Sequence, residues 1–425
     1  MSRNKISEPV RTTESASRRE TSRRKVAHPG GTNLEFAHLY NQRVVLETVR
    51  LRGPISRVEI SEHTALSTQT VSNIVDKLMD RGVLHTLGRR SGRRGQPAFE
   101  IGLNPQGGFA IGLQLDRDHM TGVLLDLAGT VHQRFHREWL FPSPDEGLPC
   151  LVETVHLLIA AQRLQPEDIW GIGLALPGPL DIRLGSAIAP PNFPGWDGFP
   201  IRDLLSERVH LPVFLENDAT AAAVGERWFG KGRDLNDYFY VFFGVGLGGG
   251  MILDGKPYRG AFDTAAMFGH IPVEPRGVRC ACGGIGCLEN YASLASLYTW
   301  LKERGRGVQT AAELTVMYQQ ADPLLIDWLN QAVDRLIPGL IMIENILNPE
   351  AILFGGRLPV VLIDALVDLL EQRLPDVQMR SLSRHPTLLR AEAVDDSAVL
   401  GAATLPLFAA FSPEQEILSK TRELA

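Results

Sequence analysis

Three of the chain's four cysteines stand at 280, 282 and 287, behind a histidine at 270, in the stretch HIPVEPRGVRCACGGIGC. Whatever fold surrounds it, this segment has to serve four soft or borderline donors at once. A tetrahedral N/S set of that kind suits Zn²⁺, and with no position left open for water such an ion is structural rather than catalytic. Glycines at 283, 284 and 286 let the backbone turn tightly enough for Cys280, Cys282 and Cys287 to converge with His270. The chain has no apolar run of the ~18 residues that a membrane helix needs. Its N-terminus is polar and basic, without the apolar core of a secretory signal. Both features point to the cytoplasm and away from membranes. Thiols stay reduced there, and a cysteine cluster binds metal more often than it forms disulfides. Cys150 has no nearby partner in sequence and reads as a small core residue.

Charge is unevenly spread. Residues 1–104 hold 18 Lys and Arg against 10 Asp and Glu, whereas the remainder holds 25 against 39. A basic first quarter on an acidic body is expected of a nucleic-acid-binding module joined to something else. Residues 1–32 carry almost no large apolar side chains and are expected to be a disordered basic tail. Residues 33–104 read as three helices and a hairpin. Leu39, Val44, Leu46 and Val49 form an apolar stripe ended by Gly53-Pro54. Ser56 can cap a second helix with Val58, Ile60 and Ala65 inward. Ser67 can cap a third with Val71, Ile74, Val75 and Leu78 inward.

The other face of that third helix offers Thr68, Gln69, Thr70, Ser72 and Asn73 beside Ser67. These short hydrogen-bonding side chains suit phosphates and base edges, as in the recognition helix of a helix-turn-helix. Strands at Leu84–Leu87 and Ala98–Leu103 would flank GRRSGRRGQP, a wing whose Arg93 and Arg94 can enter a minor groove. Double-stranded operator DNA is the implied partner. A homodimer or homotetramer is the implied assembly, since such modules read paired half-sites.

Residues 105–425 alternate strands and helices. FAIGLQL, TGVLLDL and TVHQRFH suggest three strands, followed by a helix over Leu148–Arg163 and the strand IWGIGLAL. VFLEN (213–217) runs into the helix DATAAAVGERWFG, YFYVFFGVGLGGGMIL reads as a glycine-interrupted hairpin, and NPEAILFGG as a late buried strand. The class is α/β. Six spaced segments then carry a resemblance: LPGPLD (176–181), ENDATAA (216–222), GVGLGGGMILDG (244–255), GHIPVEP (269–275), CACGGIGCLE (280–289) and LNPEAILFGG (347–356). Together they resemble the ROK family of repressors and sugar kinases. The resemblance implies an N-terminal winged helix-turn-helix followed by a two-lobed ribonuclease-H/actin-like sugar kinase fold. It also implies His270, Cys280, Cys282 and Cys287 as zinc ligands. Sugar contacts are implied at Asn217, Asp218, His270 and Glu289, with Asn192 on the facing lobe, and the aspartate is the general base in kinases of this type.

The resemblance allows either a kinase or a sensor, and the phosphate loops favour the sensor. The family's first loop reads Asp-x-Gly-Gly-Thr; here QLDRDHM (114–120) places Gln114, Asp116, Arg117 and Asp118 at those positions. Side chains fill the space that phosphates need, and the carboxylates would repel them. Gly244-Val245-Gly246 lacks the hydroxyl of the usual Gly-Thr-Gly. Where the family typically has a glutamate, in Gly-Glu-x-Gly-His, this chain has Met267, and a thioether cannot replace a carboxylate acceptor. The reading is a DNA-binding regulator, a repressor, controlled by a sugar or sugar phosphate held in a body that is not an enzyme. The alternatives are an active ATP-dependent sugar kinase with an added DNA-binding domain, or a regulator controlled by a protein partner.

Overall fold

The computed structural model describes residues 34–89, 99–191, 193–308, 310–379, 383–393 and 396–412. The expected tail over 1–32, the wing arginines Arg93 and Arg94, and Asn192 lie outside the described residues. The N-terminal module is α1 (Leu34–Arg52), α2 (Arg57–Thr64), α3 (Thr68–Asp80) and an antiparallel pair, β1 (Leu84–Arg89) with β2 (Phe99–Leu103). Ser56 caps α2 in a reciprocal box with Glu59, and the Ser67 hydroxyl accepts from the Thr70 N–H at the head of α3. Each cap satisfies amides that a helix N-terminus leaves unpaired.

The inward faces differ from the expectation at four positions. On α1 the buried residues are Val45, Leu46 and Val49; Val44 is only half-buried and Leu39 is exposed. On α2 Ile60 is buried, but Val58 is exposed, and Ala65 is the exposed left-handed residue that ends the helix. An eight-residue helix turns one narrow stripe inward, and neither of its flanking apolar positions falls on it.

The body is built from two lobes of matching design. The first lobe contains β3 (Phe109–Leu115), β4 (His119–Asp126), β5 (Val131–Glu138), α4 (Pro144–Ala161), β6 (Ile169–Leu176), the short pair β7 (Leu180–Asp181) and β8 (Ser186–Ala187), α5 (Ile201–Val209) and β9 (Val213–Asn217). Its sheet order is β5-β4-β3-β6-β9, antiparallel from β5 to β3 and parallel from β3 to β9. α6 (Asp218–Phe229) leads into the second lobe. That lobe holds β10 (Tyr238–Phe243), β11 (Leu247–Leu253), β12 (Lys256–Pro257), α7 (Glu289–Ala292), α8 (Leu294–Glu303), α9 (Ala311–Gln319), α10 (Pro323–Leu347), β13 (Ala351–Gly356), α11 (Val360–Arg373) and β14 (Thr387–Arg390). Its order, β12-β11-β10-β13-β14, repeats the first lobe's antiparallel meander and parallel pair. α12 (Ser397–Phe411) returns to cover β3 and β6.

β3 and β4 of the first lobe are buried along their whole length, which explains the nearly unbroken apolar sequence of β3. The helix expected over Leu148–Arg163 starts four residues earlier, because Ser143 and Glu146 form a capping box ahead of Pro144. Pro149 sits inside it.

Candidate functional site

A cleft opens between the lobes, with Asn217, Asp218, His270 and Glu289 all in its wall. Asn217 closes β9 and caps α6: its Oδ1 accepts from the Ala219 and Thr220 N–H groups at 3.1 and 3.4 Å, and its Nδ2 donates to Asp218 Oδ1 at 2.9 Å. Capping and pocket lining are therefore combined in one side chain. Burial and the neighbouring Asp116 carboxylate push Asp218 up to about 7, against the opposing pull of Arg117 and of the Ala219 N–H and Asn217 amide. Glu289 Oε2 accepts from the Leu247 N–H at 3.0 Å. Gly246 has to be glycine for this approach, since a Cβ there would stand 2.2 Å from the same oxygen.

Met267 lies in the cavity wall. Four charged residues that the sequence did not single out as pocket residues join it: Glu216, Arg259, Asp263 and Arg117. Arg259 pairs with Glu216 at 2.6 Å. Glu216 could have been suspected from its place just before Asn217; Arg259 arrives from a distant loop and had no local signal.

The phosphate end is organised differently. Asp116 Oδ1 accepts from the Arg117 N–H at 2.7 Å and from Arg117 Nε at 3.2 Å. The Arg117 guanidinium is largely buried; although burial opposes its charge, Asp116, Asp218 and Glu289 hold its pKa above the ordinary value. Asp118 pairs with His119 Nδ1 at 2.6 Å and with Arg357, just beyond β13. Burial opposes its ionisation, but these two partners prevail and hold Asp118 down at about 2. The two carboxylates thus each face a charged side chain of the chain itself, Asp116 through one oxygen to Arg117 and Asp118 to Arg357. In the second loop, the carbonyls of Gly244 and Val245 accept from Leu294 and Ala295 at the head of α8. Two amides at the head of α8 are thereby occupied.

The cysteine segment folds as its spacing suggests. The donor atoms of His270, Cys280, Cys282 and Cys287 all lie within 4.8 Å of one another. His270 Nδ1 is 3.7 Å from Cys280 Sγ, and Cys282 and Cys287 Sγ are 3.7 Å apart. Two sulfurs each ~2.3 Å from one tetrahedral ion would stand about 3.8 Å from each other, which the Cys282–Cys287 separation matches, so the donor set fits a metal such as zinc. Bridges from Pro272 to Cys287 and from Arg279 to Ile285 close the loop, and Gly283 and Gly286 take left-handed φ angles of 91° and 69°. Cys150 is buried on α4, away from this cluster.

On α3, Thr68, Gln69 and Asn73 are exposed and Thr70 and Ser72 half-buried, on the face opposite Val71, Ile74, Val75 and Leu78. Gln69 Nε2 donates to Asn73 Oδ1 at 3.0 Å, a contact that a base edge could replace. The Ser67 hydroxyl is committed to its cap.

Two family models match the chain: "ROK family" over residues 110–407 and "Winged helix-turn-helix DNA-binding" over 39–84. The chain belongs to the ROK family. A xylose repressor of Caldicellulosiruptor bescii is 28% identical over 83% of this chain and 93% of its own length. Among solved ROK structures, a transcriptional regulator described as a homologue of the E. coli MLC protein superposes with TM-score 0.74 at 24% identity, covering 89% of this chain and 98% of its own. A ROK glucokinase from Streptomyces griseus, in complex with glucose and AMPPNP, covers only 70% of this chain and 99% of its own, with TM-score 0.61 and 27% identity. ROK regulators and ROK kinases therefore share the two-lobed body.

Proposed function

We propose that this ROK protein is a transcription regulator, acting as a repressor on genes of carbohydrate metabolism or transport. A winged helix-turn-helix domain (33–104) would bind double-stranded operator DNA, and a sensor domain (105–425) would bind a sugar or sugar phosphate. The observation that carries the reading is the contrast inside the cleft: Arg117 and Asp116 occupy the phosphate end, while Asn217, Asp218 and Glu289 still surround a cavity. No described helix is long and apolar enough to cross a membrane. The repressor relatives support the DNA-binding half of this reading, and paired half-sites would make the working form a homodimer or homotetramer.

In this reading Zn²⁺ is held by His270, Cys280, Cys282 and Cys287 and acts structurally. It pins the segment that carries His270 to the one that leads into Glu289. Sugar hydroxyls are read by buried carboxylate and amide groups, which lose a partner when a hydroxyl is missing. A thermal-shift screen of sugars and sugar phosphates, followed by DNA binding with each hit, tests the proposal. Gln69→Ala should cost about 1–3 kcal/mol of discrimination between operator and non-operator duplexes; equal discrimination in a gel-shift titration would remove α3 as the reading helix.

One observation favours a second reading. Asp218 keeps the position of a general base, and a carboxylate raised to about 7 suits proton removal from a sugar hydroxyl at neutral pH. Sugar-dependent ADP formation by the purified chain would make it a kinase.

A further inference from the structure

The helix that begins at the sugar pocket ends at the DNA-binding module. α6 starts at Asp218, is buried from there through Glu226, and closes with Trp228 and Phe229. Twelve residues at 1.5 Å each span roughly 18 Å. At its far end Trp228 joins one continuous apolar core with Val45, Leu46 and Val49 of α1 and Phe411 of α12. The Arg50 guanidinium of α1 lies 4.5 Å from the centre of the Trp228 ring. Its Nε and Nη2 each donate to Glu47 at 2.7 Å, while its buried Nη1 has no hydrogen-bond partner among the described residues. Glu47 and the indole face are therefore what holds this charge.

We propose that Arg50 is a positioning residue, and that its contact with Trp228 is the joint through which occupancy of the sugar pocket reaches the winged helix. The inference rests on the sugar-sensing reading above. The buried face of α6 packs backbone against backbone on α12, where a Cβ on Gly401 would stand 1.8 Å from the Ala221 carbonyl oxygen, so the two helices are coupled over the length of α6. Displacement at one end is delivered at the other. α12 moves with it and meets the same module, where Phe411 packs edge-on against Trp228 at 5.5 Å and the Ser412 carbonyl accepts from Arg43 Nη1 of α1.

A flat ring against a planar cation can slide or tilt and stay in contact. Interdigitated aliphatic packing resists such movement. The joint can thus take up a new orientation of α1 without unfolding the module, and α1 carries α2 and α3 with it.

The test uses the full chain and a duplex that the full chain itself enriches from a random pool. Duplex affinity is measured with and without saturating D-xylose, D-glucose, N-acetyl-D-glucosamine and their phosphate esters, and sugar binding is followed separately by thermal shift. Wild type should change its duplex affinity at least about fivefold with one of these sugars. Arg50→Met should bind the same sugar and the duplex, yet change affinity less than about twofold. Because Arg50→Met can fail to fold, Arg50→Lys and Trp228→Phe are measured alongside it; each should give a response between those limits. A wild-type response in all three variants overturns the joint and leaves sugar sensing intact. If no sugar alters wild-type affinity, sensing itself fails and the joint falls with it.

Discussion

The two ends of the interlobe cleft handle charge in opposite ways. At the end lined by Asn217, Asp218 is buried beside another carboxylate and pushed up to about 7; at the end proposed to have lost phosphate binding, Asp118 meets His119 and Arg357 and is held at about 2. One carboxylate stays under-compensated and waits for a partner, while the other already has its partners from within the chain. A binding site keeps polar groups that a ligand can satisfy. A site turned over to structure satisfies them internally, and the ligand then has nothing to gain by entering.

The largest break in this contrast would come from removing the element that braces the sugar end. Cys282→Ser should lose the metal, lower the melting temperature by many degrees and abolish the sugar response, since binding energy at a structural zinc is folding energy. Metal analysis of a fresh, chelator-free preparation should find one Zn²⁺ per chain, and Cys150→Ser should leave that content unchanged. A zinc-free preparation would show that the four donors hold the loop together without an ion.

Next in size is Asp218→Asn, which keeps the shape and removes the charge. Operator affinity should stay normal while the change with sugar, about fivefold to a hundredfold in wild type, disappears. A variant that still responds would reduce Asp218 to the first residue of a helix.

The pH dependence sharpens the comparison because the two signs are opposite. Asp218 has a folded pKa near 7 against 3.8 for the free group, so the folded chain holds the extra proton between those values. Its contribution to stability therefore declines as pH rises from about 4 to about 7. Asp118, at about 2 against 3.8, contributes fully above about 4 and loses that contribution as pH falls towards 2. In urea titrations, Asp218→Asn should flatten the upper window and Asp118→Asn the lower one. A swapped pattern would mean that the two ends had been assigned the wrong way round.

The smallest effect is expected from Arg357→Ala. Its pair with Asp118 is about a quarter exposed on both sides, so the loss should be roughly 1–2 kcal/mol, between the values of surface and buried pairs. ADP formation should not appear, because Arg117 and Asp116 still fill the loop. If turnover did appear, the ion pair alone would have been blocking the nucleotide.

Much of this was legible in the sequence. β3 and β9 fall at the boundaries that their apolar runs suggest, and Ser56 and Ser67 cap α2 and α3 as their hydroxyls allow. The pairing of residues separated by a few positions was equally accessible: His270 and the three cysteines converge because donor type, glycine spacing and loop length are all local properties. The apolar stripes of α1 and α2 were less so, with Leu39 and Val58 turned to solvent, since a short amphipathic helix leaves its exact rotation to the neighbours it packs against.

Other features belonged to the tertiary structure alone. Arg259 reaches Glu216 across 43 positions and Arg357 reaches Asp118 across 239, and nothing in either arginine's own neighbourhood marks it as a partner. From the sequence the 114–118 loop reads as unfit for phosphate, with its carboxylates as repelling groups; the structure adds that Asp116 faces Arg117 and that Asp118 faces Arg357 and His119. Arg117 and His119 stand in the same loop, whereas Arg357 reaches Asp118 only with the second lobe in place. Periodicity, capping and donor spacing act over a few residues and can be read along the chain. Electrostatic compensation and burial depend on which distant segments the fold brings within a few ångströms, and the packing of two lobes, α12 and the winged helix decided that.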